Sequence, residues 1–226
     1  MQDDAKEVSV ITTKDQEALF KLVADYLARD ITCIAIGGTA MMFQGYKNAT
    51  KDIDLVFLSD EDRQAFEQAL VQLGYKKQGL SGVYDERRRE RSDAPHLFSR
   101  SDERFDLFVT SVFGLEPTTA MTQRHDFLGK SELIIKVLSI EELILFKAIT
   151  LREKDQEDIE LIIRSEKTID WDRIIDRAMA QSKNPWFLID LEETMQHLRT
   201  MTFIPEKHFK RIYAAKASPQ GKKKKK

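Results

Sequence analysis

Cysteine is nearly missing from this chain of 226 residues, which contains only Cys33. A single cysteine excludes a disulfide framework and a cysteine-rich zinc site, and the apolar surroundings ITCIAI predict a core position. No apolar run approaches the roughly 20 residues of a membrane-spanning helix. The N-terminus, MQDDAKEVSV, lacks the basic and apolar regions of a signal peptide. These absences indicate a cytoplasmic protein without a membrane partner.

Net charge is also small, with a formal value of −2. That value conceals an asymmetry, because the lysine run 222–226 contributes +5 and residues 1–221 carry −7. The lysine run follows ASPQG and has no apolar partner, so the sequence predicts a flexible tail over 205–226. The tail is interpreted as a solubilising or added segment, or as one that attracts nucleic acid by its charge.

What is abundant is typical of a globular protein, with 42% hydrophobic and 33% charged residues. Apolar periodicity and turn residues predict an α/β (α+β) fold, in which a mixed-sheet core over 1–138 precedes a helical region over 139–204. The predicted strands cover 31–36, 52–58, 95–99, 103–113 and 132–138. The predicted helices cover 14–29, 38–46, 61–73, 140–151, 154–164, 170–181 and 186–200.

Two aspartates interrupt the apolar strand pattern KDIDLVF. Side chains in a strand alternate between faces, so Asp52 and Asp54 are expected on one face and the apolar residues on the other. Two like charges about 6.5 Å apart repel each other, and burial strengthens the repulsion. A divalent cation removes it, and Mg²⁺ binds a few carboxylates while keeping positions for water and phosphate. The pattern therefore predicts a metal site.

A third carboxylate, Asp106, lies between aromatic residues in the strand pattern RFDLFV. If the strands pair side by side, the three carboxylates converge, and two metal ions about 4 Å apart can clamp a phosphoryl displacement. Upstream, the apolar run IAIGGTA breaks at Gly37-Gly38 before a predicted helix. Glycines let backbone amides approach a phosphate, and a helix N-terminus favours an anion. We therefore expect Gly37, Gly38 and Thr39 to hold phosphate groups.

In this order and spacing, IAIGGTA, KDIDLVF and RFDLFV resemble the signature of the DNA polymerase β-like nucleotidyltransferase superfamily. The closer resemblance is to small prokaryotic nucleotidyltransferase-like proteins that include abortive-infection-type toxins, which often read G-x-x-R-x-T-x-D-x-D. Gly45, Thr50 and the two aspartates are in register with that pattern, whereas Asn48 replaces its arginine. The resemblance covers about residues 30–165 and includes SIEELILFKAITLREKDQEDIELI, which is similar to a lysine-containing helical segment of such proteins.

The resemblance implies a mixed-sheet nucleotidyltransferase core, Mg²⁺ or Mn²⁺ as cofactor, and transfer of an NMP from an NTP with release of pyrophosphate. Asp52 and Asp54 would bind both metal ions. Asp106 would bind the second metal ion and assist deprotonation of the acceptor hydroxyl, and Lys147 would face the triphosphate or assist the catalytic step. The acceptor is left open between RNA, a protein and a small molecule, and so is the identity of the NTP.

Several charged residues have two interpretations. Lys147 lies in an apolar helical pattern, where it either takes that role or extends to the surface. Asp155 and Asp158 share a helix face, and they either orient Lys147 or Arg152 or form a solvated face. The arginine cluster within 85–93 either binds phosphates or is a solvated, mobile loop, and its interleaved acidic residues favour the loop.

Two other functions stay open at this stage. One is a nucleotidyltransferase fold without activity, acting as a binding or regulatory module such as a toxin–antitoxin component with a partner protein. The presence of all three carboxylates argues against it. The other is nucleic-acid binding through the arginine cluster and the lysine run, against which the acidic remainder of the chain argues.

Overall fold

The structure is a computed structural model that describes residues 10–118, 121–150, 152–166, 168–181 and 186–217. Over these residues it is a mixed α+β fold, which confirms the predicted fold class. The chain forms two compact units, Met1–Leu138 and Ser139–Lys226. The first contains the strands and the second consists of helices.

The first unit is built on a seven-stranded mixed sheet with the order β5-β6-β7-β4-β2-β9-β8, beside a small antiparallel pair of β1 and β3. The strand bounds are β1 Ile11–Thr12, β2 Ile31–Ala35, β3 Ala49–Thr50, β4 Ile53–Phe57, β5 Lys76–Gln78, β6 His96–Arg100, β7 Glu103–Val109, β8 Met121–Leu128 and β9 Glu132–Leu138. Strand β2 pairs parallel with β9, and β4 pairs parallel with β7. The other neighbours in the sheet are antiparallel.

Four helices accompany these strands: α1 Thr13–Tyr26, α2 Gly37–Phe43, α3 Asp60–Gln72 and α4 Glu86–Arg89. Side-chain caps mark the starts of α1, α3 and α4. Thr12 and Asp15 form a reciprocal capping box at α1, and Ser59 accepts a hydrogen bond from the amide of Asp62 at α3. The apolar strands β2 and β4 lie in the middle of the sheet, and Cys33 is fully buried there, as predicted.

The second unit consists of α5 Ile140–Ala148, α6 Glu153–Ser165, α7 Trp171–Ala180, α8 Trp186–Leu198 and α9 Glu206–Ala217. The flexible tail predicted from residue 205 is wrong over α9, because Phe209 and Ile212 are fully buried on one face of this helix. The lysine run and residues 218–221 lie outside the described residues. Among the described residues, no helix combines the length and apolarity needed to cross a membrane.

Other differences from the expectations have local causes. The strand predicted over 103–113 ends at Val109, because Thr110 and Phe113 adopt positive φ angles of 57° and 52°, which break an extended strand. The segment expected as an arginine-rich loop contains the helical turn α4, whose N-cap Asp85 accepts a hydrogen bond from the amide of Arg88. Strand β8 has no counterpart among the predicted elements.

Candidate active site

Two aspartates stand side by side in the middle of the sheet. Strands β4 and β7 are parallel neighbours, and their register places Asp54 opposite Asp106. Residues paired in register lie about 4.8 Å apart and project to the same face of the sheet. The strands therefore pair as the two-metal interpretation requires. Asp106 is buried, with only 1% of its surface exposed, whereas Asp54 is partly exposed.

Asp52 lies just before β4, so the strand begins one residue later than predicted. Its side chain is 21% exposed. It joins the pair of aspartates through Arg104, which precedes Asp106 by two residues on β7 and therefore shares its face. The guanidinium donates a hydrogen bond from Nε to Asp106 Oδ1 at 2.8 Å and another from Nη2 to Asp52 Oδ2. Arg104 thus bridges two of the three predicted metal ligands.

A second donor to Asp106 comes from the segment between β5 and β6. The hydroxyl of Tyr84 donates a hydrogen bond of 2.6 Å to Asp106 Oδ2, so both oxygens of this buried carboxylate accept hydrogen bonds. The Tyr84 ring packs against Phe113 with 5.6 Å between ring centroids. Burial and the neighbouring Asp106 raise the pKa of Tyr84, so its hydroxyl keeps its proton and acts as a donor.

Burial dominates the electrostatics of this site. It raises the pKa of Asp106 to about 6, although Arg104 and Tyr84 act in the opposite direction by favouring the ionised form. For Arg104, burial alone would lower the pKa, but Asp106 and Asp52 outweigh it and the pKa is raised. The site therefore holds a permanent guanidinium beside a buried carboxylate whose pKa lies above its usual range.

The glycine turn lies against Asp54. Gly37 has a positive φ of 54°, and a Cβ atom on it would lie 2.4 Å from Asp54 Oδ2. A Cβ atom on Gly38 would lie 2.4 Å from Thr50 Oγ1. Both distances are too short for any side chain, so the two glycines allow the start of α2 to approach the carboxylate. This gives a physical reason for glycine at both positions.

Thr39 is fully buried, and its hydroxyl accepts a hydrogen bond of 2.9 Å from the amide of Asp54. Its side chain therefore fixes the start of β4 relative to α2, and it acts as a positioning residue for the aspartate. The backbone amide of Ile36 also bonds the carbonyl of Asp54, at 3.2 Å. Contact of Thr39 with a triphosphate stays a prediction.

The donor atoms suit a hard cation, since Mg²⁺ and Mn²⁺ prefer carboxylate oxygens. In the described part of the chain, however, no group of three or more His, Cys, Asp or Glu side chains is arranged to hold a metal ion. The guanidinium of Arg104 bonds both Asp52 and Asp106. The residues fit a metal ion in their chemistry, and two of the three are hydrogen-bonded to this cation.

Lys147 belongs to the helical unit, on α5, and is buried there. Its Nζ donates hydrogen bonds to Asp155 Oδ1 at 3.0 Å and Asp158 Oδ2 at 2.6 Å on α6. Both aspartates are buried as well, so the solvated face and the surface-reaching lysine are wrong, and the two aspartates hold Lys147 in place. Arg152 Nε donates to Asp155 Oδ2 at 2.6 Å. Action of Lys147 on a nucleotide stays a prediction.

Two arginines of the cluster, Arg88 and Arg91, make contacts within the first unit. Arg91 pairs with Asp93 at 2.7 Å, and Arg88 lies 5.4 Å from the centroid of the Phe113 ring. Asp93 also accepts a hydrogen bond from the hydroxyl of Ser111 at 2.9 Å. These contacts favour a structural role for this segment over phosphate binding.

Sequence reasoning did not select Arg104 or Tyr84. The sequence does contain a pattern that indicates Arg104, because R-x-D in a strand places the arginine and aspartate side chains on one face. No such pattern indicates Tyr84, because its contact depends on how the segment before β6 folds back over β7.

No protein-family model matches this chain, and the search of curated proteins finds no significant match. These comparisons give no support to any particular family. The functional argument therefore rests on the contacts within the chain.

Proposed function

We propose that this chain is a metal-dependent nucleotidyltransferase that moves an NMP from an NTP to an acceptor and releases pyrophosphate. The observation that carries the proposal is the register of β4 and β7, which pairs Asp54 with the buried Asp106. The contact of Gly37 with Asp54 places a backbone turn without side chains beside these carboxylates. Carboxylates beside such a turn suit an NTP that carries its own divalent cation.

Asp52, Asp54 and Asp106 would hold Mg²⁺ or Mn²⁺ in this proposal. When bound, such ions stabilise the charge on the attacking and leaving oxygens of a phosphoryl transfer. Asp106 would also accept the proton of the acceptor hydroxyl, the general-base role open to a carboxylate within hydrogen-bond reach of that hydroxyl. The amides at Gly37 and Gly38 would bind phosphate oxygens, and Thr39 would keep Asp54 in position.

The test is incubation with each labelled NTP, Mn²⁺ or Mg²⁺, and total RNA, protein or metabolite fractions. Transfer of label to one fraction identifies the acceptor class, which the proposal leaves open. The variant Asp54→Asn should abolish transfer. Asp126→Asn is the matched control, because Asp126 is an exposed aspartate on β8 of the same sheet. Transfer that survives in Asp54→Asn would contradict the proposal.

A second candidate is a binding or regulatory module without transferase activity, such as one component of a toxin–antitoxin pair. The bridge from Arg104 to Asp52 and Asp106 favours it, because a guanidinium then neutralises carboxylates that a metal ion would otherwise use. Thermal melting with NTP separates the two candidates, since a ligand of the folded state raises the midpoint. If NTP raises the melting midpoint equally with and without metal, and no label is transferred to any fraction, the module is the correct candidate.

A further inference from the structure

We propose that Arg104 is an internal cation that competes with divalent metal ions for Asp52 and Asp106. Metal binding at the candidate site is then an exchange in which the guanidinium leaves the carboxylates as the ion arrives. This inference rests on the metal site of the proposed function, and it adds a device that controls how readily that site fills.

The contacts make the competition direct. Arg104 uses Nε for Asp106 Oδ1 and Nη2 for Asp52 Oδ2, so one side chain bonds two predicted ligands on different segments. A metal ion bound by both aspartates would draw on the carboxylates that Arg104 bonds, and its positive charge would repel the guanidinium. Charge-assisted bonds of this kind are among the stronger hydrogen bonds in proteins, so their loss must be offset by the incoming ion.

Exposure indicates which partner moves. The side chain of Asp106 is 1% exposed and is held by Tyr84 as well, whereas the side chain of Arg104 is 28% exposed. The arginine can therefore swing toward solvent while the carboxylate stays within the sheet. An arginine is never deprotonated near neutral pH, so it leaves as a cation and does not release the carboxylates by losing a proton.

The chain contains a matched arrangement that lacks the other features of the site. On β8, Arg124 donates from Nε to Asp126 Oδ1 at 2.6 Å and from Nη2 to Glu132 Oε1 at 3.4 Å. This group also has an arginine two residues before an aspartate, with a second carboxylate nearby. Arg124 and Asp126 are exposed and Glu132 is partly exposed, which makes Arg124 the control for removal of a bridging arginine.

The experiment measures Mn²⁺ affinity by calorimetry for the wild type, Arg104→Gln, Arg104→Lys and Arg124→Gln. Removal of the competing cation in Arg104→Gln should lower the Kd by about ten- to a hundredfold, the range expected for losing charge-assisted hydrogen bonds. Arg104→Lys keeps the charge and should stay closer to the wild type. Arg124→Gln should leave the Kd unchanged within a factor of about two, because it does not touch the site.

A second measurement needs no variant and therefore does not depend on whether Arg104→Gln folds. In the wild type, the NMR signal of the Arg104 Nε–H group should move as Mg²⁺ saturates the protein. The corresponding signal of Arg124 should stay in place. A saturating Mg²⁺ titration that leaves the Arg104 signal unchanged would overturn the exchange.

The outcomes separate this inference from the proposed function. Tighter Mn²⁺ binding in Arg104→Gln than in the wild type supports the exchange. Mn²⁺ binding in Arg104→Gln without any binding in the wild type supports both the exchange and the module without transferase activity. If the wild type binds Mn²⁺ and Arg104→Gln binds it with equal or lower affinity, the exchange is overturned, whereas the proposed transferase activity is not contradicted. Absence of Mn²⁺ binding in every folded variant overturns the metal site, and the exchange with it.

Discussion

The sheet contains the same local arrangement twice, once in its interior and once at its edge. Arg104 and Asp106 lie on β7, between β6 and β4, whereas Arg124 and Asp126 lie on the edge strand β8. In both segments the arginine Nε bonds the aspartate two residues later, at 2.8 Å and 2.6 Å. The sequence spacing and the hydrogen bond are alike, so any difference in behaviour must come from the surroundings.

Burial is the difference that matters. The side chain of Asp106 is 1% exposed and that of Asp126 is 42% exposed. Water screens an exposed ion pair and leaves it worth little, whereas a buried carboxylate depends on its partners. The comparison teaches that an R-x-D pattern in a strand identifies a candidate site only where the strand lies inside the sheet and its carboxylate is buried.

The largest expected effect is on transferase activity, in which the buried and the exposed aspartate should differ. Asp106→Asn should lower NMP transfer by about 10³-fold or more, because charge stabilisation by bound metal contributes several kcal/mol to phosphoryl transfer. Asp126→Asn should transfer label at the wild-type rate. Initial rates with the acceptor fraction that the labelling experiment identifies are the measurement. Equal losses in the two variants would show that the buried and exposed segments do not differ in function.

Stability of the metal-free protein gives the next contrast. Arg104→Gln leaves Asp106 buried without its cation and should lower the free energy of unfolding by about 2–4 kcal/mol at pH 7.5. Arg124→Gln should lower it by less than about 1 kcal/mol, as is usual for exposed ion pairs. Urea unfolding in the presence of a chelator measures both. If Arg124→Gln proves as damaging as Arg104→Gln, burial is not what distinguishes the two pairs.

Sequence patterns were sufficient for the apolar elements of the site. The run IAIGGTA predicted a buried strand followed by a turn and helix, and the structure has β2 and α2 there. The position of Asp106 inside a strand was also predictable, because apolar residues flank it on both sides. Each of these features depends on residues that are neighbours in sequence, which is why periodicity reveals them.

Features that depend on distant contacts or on edges were missed. The parallel register of β4 and β7 joins segments about 50 residues apart in sequence, and periodicity carries no information on which strands pair. Strand β8 was missed because an edge strand with polar residues on its open side lacks an apolar run. Helix α9 was hidden by its basic composition, although Phe209 and Ile212 have helical spacing.

The contribution of Asp106 to stability should change with pH in the opposite direction from that of a paired aspartate in the helical unit. Burial raises the pKa of Asp106 to about 6, so folding takes up a proton between about pH 4 and pH 6. Its contribution to stability is largest below about pH 4 and is lost as the pH rises through 6. The stability of Asp106→Asn relative to the wild type should therefore rise between pH 4 and pH 7.5, by an amount on the order of a few kcal/mol.

Asp155 supplies the opposite case. Burial opposes its ionisation, but Lys147, Arg152 and Thr150 outweigh burial and lower its pKa to about 2. Its contribution is present above about pH 4 and is lost as the pH falls toward 2, so Asp155→Asn should be most damaging at neutral pH. Urea unfolding of both variants across this pH range is the measurement. Parallel pH trends in the two variants would contradict the assigned shifts.

The smallest expected effect separates the two groups that hold Asp106. Tyr84→Phe removes one neutral donor at 2.6 Å and leaves the guanidinium in place. A single such hydrogen bond contributes about 1 kcal/mol, so the pKa of Asp106 should rise by less than about one unit, and by more in Arg104→Gln. Carboxyl ¹³C NMR titration of the wild type and both variants measures the order. A larger rise in the pKa of Asp106 in Tyr84→Phe than in Arg104→Gln would mean that the tyrosine does more than the arginine to keep Asp106 ionised. The bonds that Arg124 donates to Asp126 and Glu132 include no counterpart of this tyrosine. The contrast between the two R-x-D segments would then depend on a neutral donor, and Arg104 would lose its claim to be the cation that a metal ion must displace.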